Sequence, residues 1–291
     1  MPELPEVETT RRRIEPLLRG RPVARVVTTG PSYLFVTPPE KLRRQLPGRS
    51  VESVDRHGKY LVCTLDDGAR LIIHLGMTGQ LFGDGATSVR LLSATARAAL
   101  SPDEQQRFRP DVHTHLQLFF RDEGPAVYLR DVRKFGKVLL LPGGRGHPRL
   151  DRLGPDALQI SGDELFSAGR RRRVAVKALL LDQAVLAGVG NIYADEALFA
   201  AGVRPGRRCD RVTRREYRAI ARALGRILRR SIETGGSSIS DYVAPDGRDG
   251  GFQDERRVYA RAGAPCYSCG AAIRRKTIAQ RSSHYCPRCQ K

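Results

Sequence analysis

The chain of 291 residues carries 51 Lys and Arg against 31 Asp and Glu, a formal charge of +20 at pH 7. Its hydrophobic fraction of 40% is enough for folded domains and too high for a disordered chain, and its length predicts about two domains. No apolar run approaches the ~18–20 residues of a membrane span, and the acidic, proline-rich start Met1-Pro2-Glu3-Leu4-Pro5-Glu6 is unlike a secretory leader. A membrane-spanning chain is therefore excluded and a cytoplasmic one expected.

From Pro5 to Leu18 the apolar positions Val7, Ile14, Leu17 and Leu18 fall at helical spacing, Arg11, Arg12 and Arg13 are expected to face outward, and Gly20 is expected to end the helix. Short β-branched runs follow, at Val23–Thr28, Val51–Asp55, Tyr60–Leu65, Ala69–Leu75, Thr114–Phe120, Val127–Leu129 and Val138–Leu141. With the Asp67-Gly68 turn among them, they predict an antiparallel β domain, sandwich or barrel. The stretch between Gly83 and Asp111 reads as an inserted loop or short helix, and Leu141–Pro148 as a linker. Beyond it the texture becomes helical: Ser161-Gly162-Asp163-Glu164 offers a cap, and helices are predicted over Val174–Leu186, Asp195–Ala201 and Arg214–Ile232.

The charge points to a polyanionic partner, with nucleic acid ahead of an anionic membrane surface. Residues 170–230 hold 16 basic residues against 5 acidic ones, and the basic set is 44 Arg to 7 Lys. Arginine suits bidentate phosphate contacts, although a GC-rich genome yields the same bias.

Cys266-x2-Cys269 and Cys286-x2-Cys289 have the spacing of two chelating knuckles for one tetrahedral Zn2+. Two disulfides or a redox pair are the alternatives, and the missing secretory signal and strand–helix context count against them. Between the pairs lie Arg274, Arg275, Lys276 and Arg281, a basic hairpin tip suited to phosphate. Cys63 and Cys209 read as core or incidental residues.

Loss of Met1 would turn Pro2 into a secondary amine. An α-amino group titrates near ~8, against ~10.4 for lysine, so a usable fraction is an unprotonated nucleophile near neutral pH. Glu3 beside it suits proton transfer. The competing reading is that Pro and Glu are simply favoured at helix starts. Gly188-Val189-Gly190-Asn191, between two predicted helices, is either a backbone-phosphate grip or an ordinary tight turn.

Five blocks, in order along the chain, carry a resemblance: Met1–Thr9, His74-Leu75-Gly76-Met77-Thr78-Gly79, Asp131-Val132-Arg133-Lys134-Phe135-Gly136, Gly188–Ala194 and the four-cysteine ribbon. Together they resemble the bacterial formamidopyrimidine-DNA glycosylase family. The resemblance implies an α+β fold: an N-terminal helix with an antiparallel β-sandwich, a helical domain with a helix-two-turns-helix, and a zinc hairpin. The implied domains are 1–141, a linker 142–155, a helical domain 156–234, a lesion-capping loop 235–256 and a zinc finger 257–291. The implied activity is a bifunctional DNA glycosylase and abasic-site lyase of base excision repair. It would act as a monomer on damaged double-stranded DNA, excising 8-oxoguanine and formamidopyrimidines after flipping the nucleotide out of the stack.

By resemblance, Pro2 attacks the sugar C1′ and Glu3 supplies the ring-opening proton. Lys59 is the proton donor of β-elimination, and Arg281 is the δ-elimination donor and phosphate clamp. Asn191 holds backbone phosphate, and His74, His113 and Arg173 are further DNA contacts. Met77, Arg133 and Phe135 form the set that fills the gap left by the flipped base, with Arg133 facing an orphaned cytosine; without the family context Met77 and Phe135 would read as core. Cys266, Cys269, Cys286 and Cys289 hold one structural zinc. The sequence departs from the family at Leu81–Val112, which is longer than expected, and at Lys134, where many relatives carry Arg. The neighbouring endonuclease VIII branch prefers oxidised pyrimidines; Leu4 and the Arg133/Phe135 pair favour the purine branch. A non-catalytic binder of damaged DNA on the same fold is the alternative of a different class, and it has no need of a Pro2 amine with Glu3.

Overall fold

A computed structural model describes residues 2–86, 108, 110–238 and 242–291. The chain forms two compact units: Met1–His147 with Thr234–Gln253, and Pro148–Glu233 with Asp254–Lys291. Most of the 83–111 stretch lies outside the described residues.

In the first unit α1 spans Leu4–Leu18, with Glu3 at its N-cap and a proline in its first turn. The Glu3 N–H donates to Glu6 Oε2 at 2.8 Å, satisfying one of the donors that a helix start leaves open. Leu4, Val7, Ile14 and Leu18 are buried on one face. Arg11 does not face outward as the sequence suggests: four residues on from Val7, it shares the inward stripe and is half-buried, reaching Glu8, Glu15 and the Val54 carbonyl.

Eight strands follow, β1 (Val23–Thr28), β2 (Val51–His57), β3 (Tyr60–Leu65), β4 (Arg70–His74), β5 (Gly79–Gly83), β6 (Thr114–Phe120), β7 (Val127–Asp131) and β8 (Lys137–Leu141). They form two antiparallel four-stranded sheets, ordered β1-β6-β7-β5 and β2-β3-β4-β8. Val23, Leu81, Leu118 and Val127 from one sheet meet Val51, Cys63, Leu71 and Ile73 from the other in a single apolar core, which makes the pair a sandwich. Burial pushes the Cys63 thiol up to about 12, with the Asp55 charge adding to it, so this cysteine is an inert core residue.

Strand β5 is a departure from the sequence reading. Its run Gly79-Gln80-Leu81-Phe82-Gly83 begins and ends in glycine and lacks alternation, because both faces are covered. Leu81 points into the sandwich, while Phe82 packs with Phe108, Tyr128 and Val243 in a second cluster. The short helix α2, Pro39–Gln45, is likewise absent from the sequence reading.

The second unit is helical: Pro148–Asp151, Gly162–Gly169, Val176–Leu181, Asn191–Ala200 and Arg214–Glu233. Ser161 and Glu164 form the expected reciprocal cap, at 3.2 and 2.8 Å. The helix expected over Val174–Leu186 is only Val176–Leu181. At its start Val174 and Val176 hydrogen-bond the 207–209 backbone instead. At its end the Asp182 carboxylate captures the Ala184 N–H, a local bond that competes with helix. Tyr217, Ile220, Leu224 and Leu228 line the buried face of Arg214–Glu233. The chain closes with the hairpin β9 (Arg274–Ile278) and β10 (Arg281–Tyr285). Among the described residues no helix is long and apolar enough to cross a membrane.

Candidate nucleic-acid interface and metal centre

In the first unit Pro2 and Glu3 are buried immediately before α1. Glu6, one turn on, uses its second oxygen to accept the Ser237 N–H at 2.8 Å, so the residues before α1 and the 234–238 segment share one carboxylate. The stems of the glycine-rich loop are paired: Gly251 N–H donates to Thr234 O and Phe252 N–H to Gly236 O.

Lys59 sits at the tip of the β2–β3 hairpin, whose two-residue loop places Gly58 at φ +57, a conformation glycine adopts without strain. That tip is fastened to α1. Arg56 donates through Nη1 to the Gly58 carbonyl at 2.9 Å and through Nε to Glu8 at 3.1 Å. Burial raises the Glu8 carboxyl, but hydrogen bonds from Arg11 and Arg12 and the nearby charges of Arg11 and Arg56 outweigh it, and the group ends below the ordinary carboxylate value.

The proposed gap-filling residues lie on two loops held by one buried carboxylate. Asp131 Oδ1 accepts from the Thr78 hydroxyl and the Arg133 N–H, and Oδ2 accepts the Gly136 N–H at 2.7 Å. The loops touch so closely that a Cβ on Gly76 would lie 2.4 Å from the Gly136 nitrogen. Met77 is half-buried beside that contact, and Phe135 is exposed with the Arg133 guanidinium 4.6 Å from its ring centre. Lys134, between them, holds φ +55, a strained value for a side-chain-bearing residue. His113 joins the same group, since its carbonyl accepts the Asp131 N–H at 2.9 Å. His74 ends β4 and packs against Tyr60, with ring centres 4.7 Å apart and planes tilted by 45°.

In the second unit Asn191 opens its helix after Gly190, and its Nδ2 reaches Ser282 Oγ at 3.5 Å. Its Oδ1 is buried without a hydrogen-bond partner; phosphate, itself an acceptor, is favoured here through the N–H groups of the helix start. Ser282 adjoins Arg281, the first residue of β10, which follows the Ala279-Gln280 turn. The structure thus brings Asn191 and Arg281 to one place; Arg173 lies exposed in the loop before Val176–Leu181. Beneath them, Lys177 Nζ lies 2.6 Å from Asp195 Oδ1 and donates to Ser282 O, while Asp195 Oδ2 accepts the His284 N–H at 2.8 Å. Glu196 accepts three successive N–H groups, those of Arg257, Val258 and Tyr259.

The four cysteine sulfurs converge within 4.8 Å of one another, with Cys269–Cys286 at 3.4 Å and Cys266–Cys289 at 3.9 Å. A tetrahedron with Zn–S bonds of ~2.3 Å has edges of roughly 3.8 Å, so the thiolates fit zinc. Burial raises the Cys286 thiol, but N–H groups of Cys289 and Arg288 and the Cys269 thiol more than offset it, drawing it down to about 7. The supporting residues Glu8, Arg56, Asp131, Lys177, Asp195 and Glu196 carry no sequence signal of that role. The one local hint is that most of them lie inside or beside the quoted blocks.

Three family models match the chain: the formamidopyrimidine-DNA glycosylase N-terminal domain over residues 1–138, its H2TH domain over 153–243, and the zinc finger found in FPG and IleRS over 263–291. A sandwich, a helix-two-turns-helix and a cysteine hairpin in that order define a DNA glycosylase with a zinc-finger module. Curated relatives include the formamidopyrimidine-DNA glycosylases of Stenotrophomonas maltophilia, 40% identical, and Solibacter usitatus, 41% identical, each alignment covering 100% of both chains. The crystal structure of the MutM (Fpg) protein of Thermus thermophilus superposes with a TM-score of 0.82 at 39% identity, covering 99% of this chain and 98% of that one. The Lactococcus lactis Fpg (MutM), in complex with DNA containing Fapy-dG, gives 0.84 at 30% identity, covering 99% of this chain and 100% of that one. The chain belongs to the formamidopyrimidine-DNA glycosylase family.

Proposed function

We propose that this protein excises oxidised purines, 8-oxoguanine and formamidopyrimidines, from double-stranded DNA and then cuts the abasic strand. The observation that carries the reading is the placement of Pro2 beside a buried Glu3 at the start of α1, a secondary amine with a carboxyl group next to it once Met1 is removed. The Pro2 nitrogen attacks C1′ as the glycosidic bond breaks, and the base departs with a proton that balances the one the Pro2 nitrogen loses. Glu3 delivers a proton to the ring oxygen, and the opened sugar remains as an iminium on Pro2. Loss of a C2′ proton then expels the 3′ phosphate, with Lys59 as proton donor. A second elimination expels the 5′ phosphate, with Arg281 as donor and clamp.

Support for the DNA-facing roles is geometric. Asn191, at a helix N-terminus with its Nδ2 as donor, and the exposed Arg281 share one locus, suited to backbone phosphate. Phe135 and Met77, with Arg133, lie on paired loops whose projection suits a wedge and a hydrogen-bonding partner for the orphaned cytosine. His74, His113 and Arg173 add contacts. One Zn2+ held by Cys266, Cys269, Cys286 and Cys289 would fix the hairpin that carries Arg281; it takes no part in the chemistry.

The test is reductive trapping. With borohydride and a duplex carrying 8-oxoguanine opposite cytosine, a covalent adduct mapped to residue 2 is expected. Tight binding without an adduct would overturn catalysis in favour of a binding role. An adduct formed only on an oxidised pyrimidine would keep the nucleophile and overturn the substrate class.

A further inference from the structure

Tyr33 lies outside the site described above. Its side chain is 72% exposed, yet its surroundings are built. Leu34 is buried next to it, and the Leu34 carbonyl accepts the Val138 N–H at 2.8 Å. Phe35 N–H closes a turn onto Ser32 O at 3.0 Å, and Phe35 bridges Val138 on β8. The 32–35 turn is therefore pinned on both sides of the exposed ring.

The second observation is Lys137. Only 7% exposed, its ammonium donates to the Gly136 carbonyl at 2.8 Å and to the Phe135 carbonyl at 3.5 Å, and it lies 3.4 Å from the centre of the Tyr33 ring. Desolvating an ammonium is costly unless it is well partnered, and here the partners include the backbone of the Phe135 loop and the face of Tyr33. Two aromatic rings, Phe135 at 44% exposure and Tyr33, thus project from loops joined through one lysine, each with a cation on its face. Isolated exposed aromatics are ordinary; a pair preorganised by a buried lysine is not.

We propose that Tyr33 is a second stacking residue, taking a nucleobase of the duplex beside the position that Phe135 occupies. The inference rests on the reading of Phe135 as a wedge. Lys137 covers one face of the ring and leaves the other for the base, and stacking on an aromatic is tolerant of sequence because every base has a π face. Tyr33 would hold the kinked duplex in register while Phe135 fills the gap.

The experiment compares the parent protein with Tyr33→Ala, Tyr33→Phe and Phe135→Ala on a duplex bearing a stable abasic analogue opposite cytosine, with 2-aminopurine placed at successive positions around the lesion. Tyr33→Ala is expected to raise Kd by about 5- to 150-fold, the range of one lost base–aromatic stack, and to relieve 2-aminopurine quenching at one position. Tyr33→Phe is expected to behave as the parent in binding and in thermal melting, whereas Tyr33→Ala, which takes the ring face from Lys137, should melt lower while staying folded at the assay temperature. Parent-like binding and quenching in Tyr33→Ala, with Phe135→Ala impaired, would overturn the inference and leave the wedge intact. Parent-like behaviour of both would overturn the wedge reading and the inference together.

Discussion

Lys177 and Asp195 form an ion pair at 2.6 Å with neither side chain reaching solvent. The pair joins the helix Val176–Leu181 to Asn191–Ala200, and through Ser282 and His284 it reaches strand β10. Breaking a buried pair from one side strands a charge in the interior. Lys177→Met is therefore expected to cost about 3–5 kcal/mol of stability. Urea unfolding checks it, and Lys177→Met with Asp195→Leu should recover part of the loss, because the remaining charge is then removed as well.

Asp131 supports both loops of the proposed wedge, so Asp131→Ala leaves the Thr78 hydroxyl and the Gly136 N–H without this acceptor and the Arg133 N–H with only the Thr78 hydroxyl oxygen. Each unsatisfied donor costs about 1–3 kcal/mol where water cannot reach it. The expected outcome is a lowered melting temperature together with loss of selectivity for the base opposite the lesion, read from excision rates against the four opposite bases. Selectivity preserved at a lowered melting temperature would make Asp131 a support for the fold alone.

Glu8 gives a pH dependence with a defined sign. Its carboxyl lies below the ordinary value in the folded chain despite the opposing effect of burial, because Arg11, Arg12 and Arg56 surround it. A lowered folded pKa contributes stability that is present above the unfolded value of ~4.5 and disappears as pH falls through the folded one. The parent should lose stability below about pH 4.5 more steeply than Glu8→Gln, with thermal melts between pH 7 and pH 3 as the measurement.

Zinc removal separates two roles of the terminal hairpin. A chelator or Cys269→Ser should release the metal and abolish DNA binding, while helical circular dichroism from Arg214–Glu233 and its neighbours persists. Arg281→Ala should retain zinc, weaken binding on all sequences and lower the salt slope by roughly one. Zinc loss in Arg281→Ala would assign that arginine to the fold of the hairpin.

Where local pattern and tertiary environment agree, the sequence was readable to the residue. Strands β1, β3 and β6 begin and end where their β-branched runs do. Strand β5 has no strand signal in the sequence because packing on both faces erases alternation. The helix at Val176 was overestimated because Asp182 offers its own carboxylate to the backbone. The site shows the same division. The cysteine spacing foretold a convergence of sulfurs, since two knuckles are local objects. Supports such as Asp131 and Arg56 were invisible because their meaning is a contact between segments distant in sequence: Asp131 meets Thr78, and Arg56 meets Glu8.

The first unit is completed by a segment that follows most of the second. Ser237 supplies the donor to Glu6, and Val243 fills the cluster around Phe82 and Tyr128. On the ribosome, synthesis at roughly 5–20 residues per second separates His147 from Thr234 by about 4–17 s. During that interval the nascent sandwich stands with an apolar cluster open and without the Ser237 N–H that Glu6 later accepts. The first unit is therefore completed only after most of the second has been made, and a gene fragment ending at His147 would lack the segment that covers the Phe82 cluster.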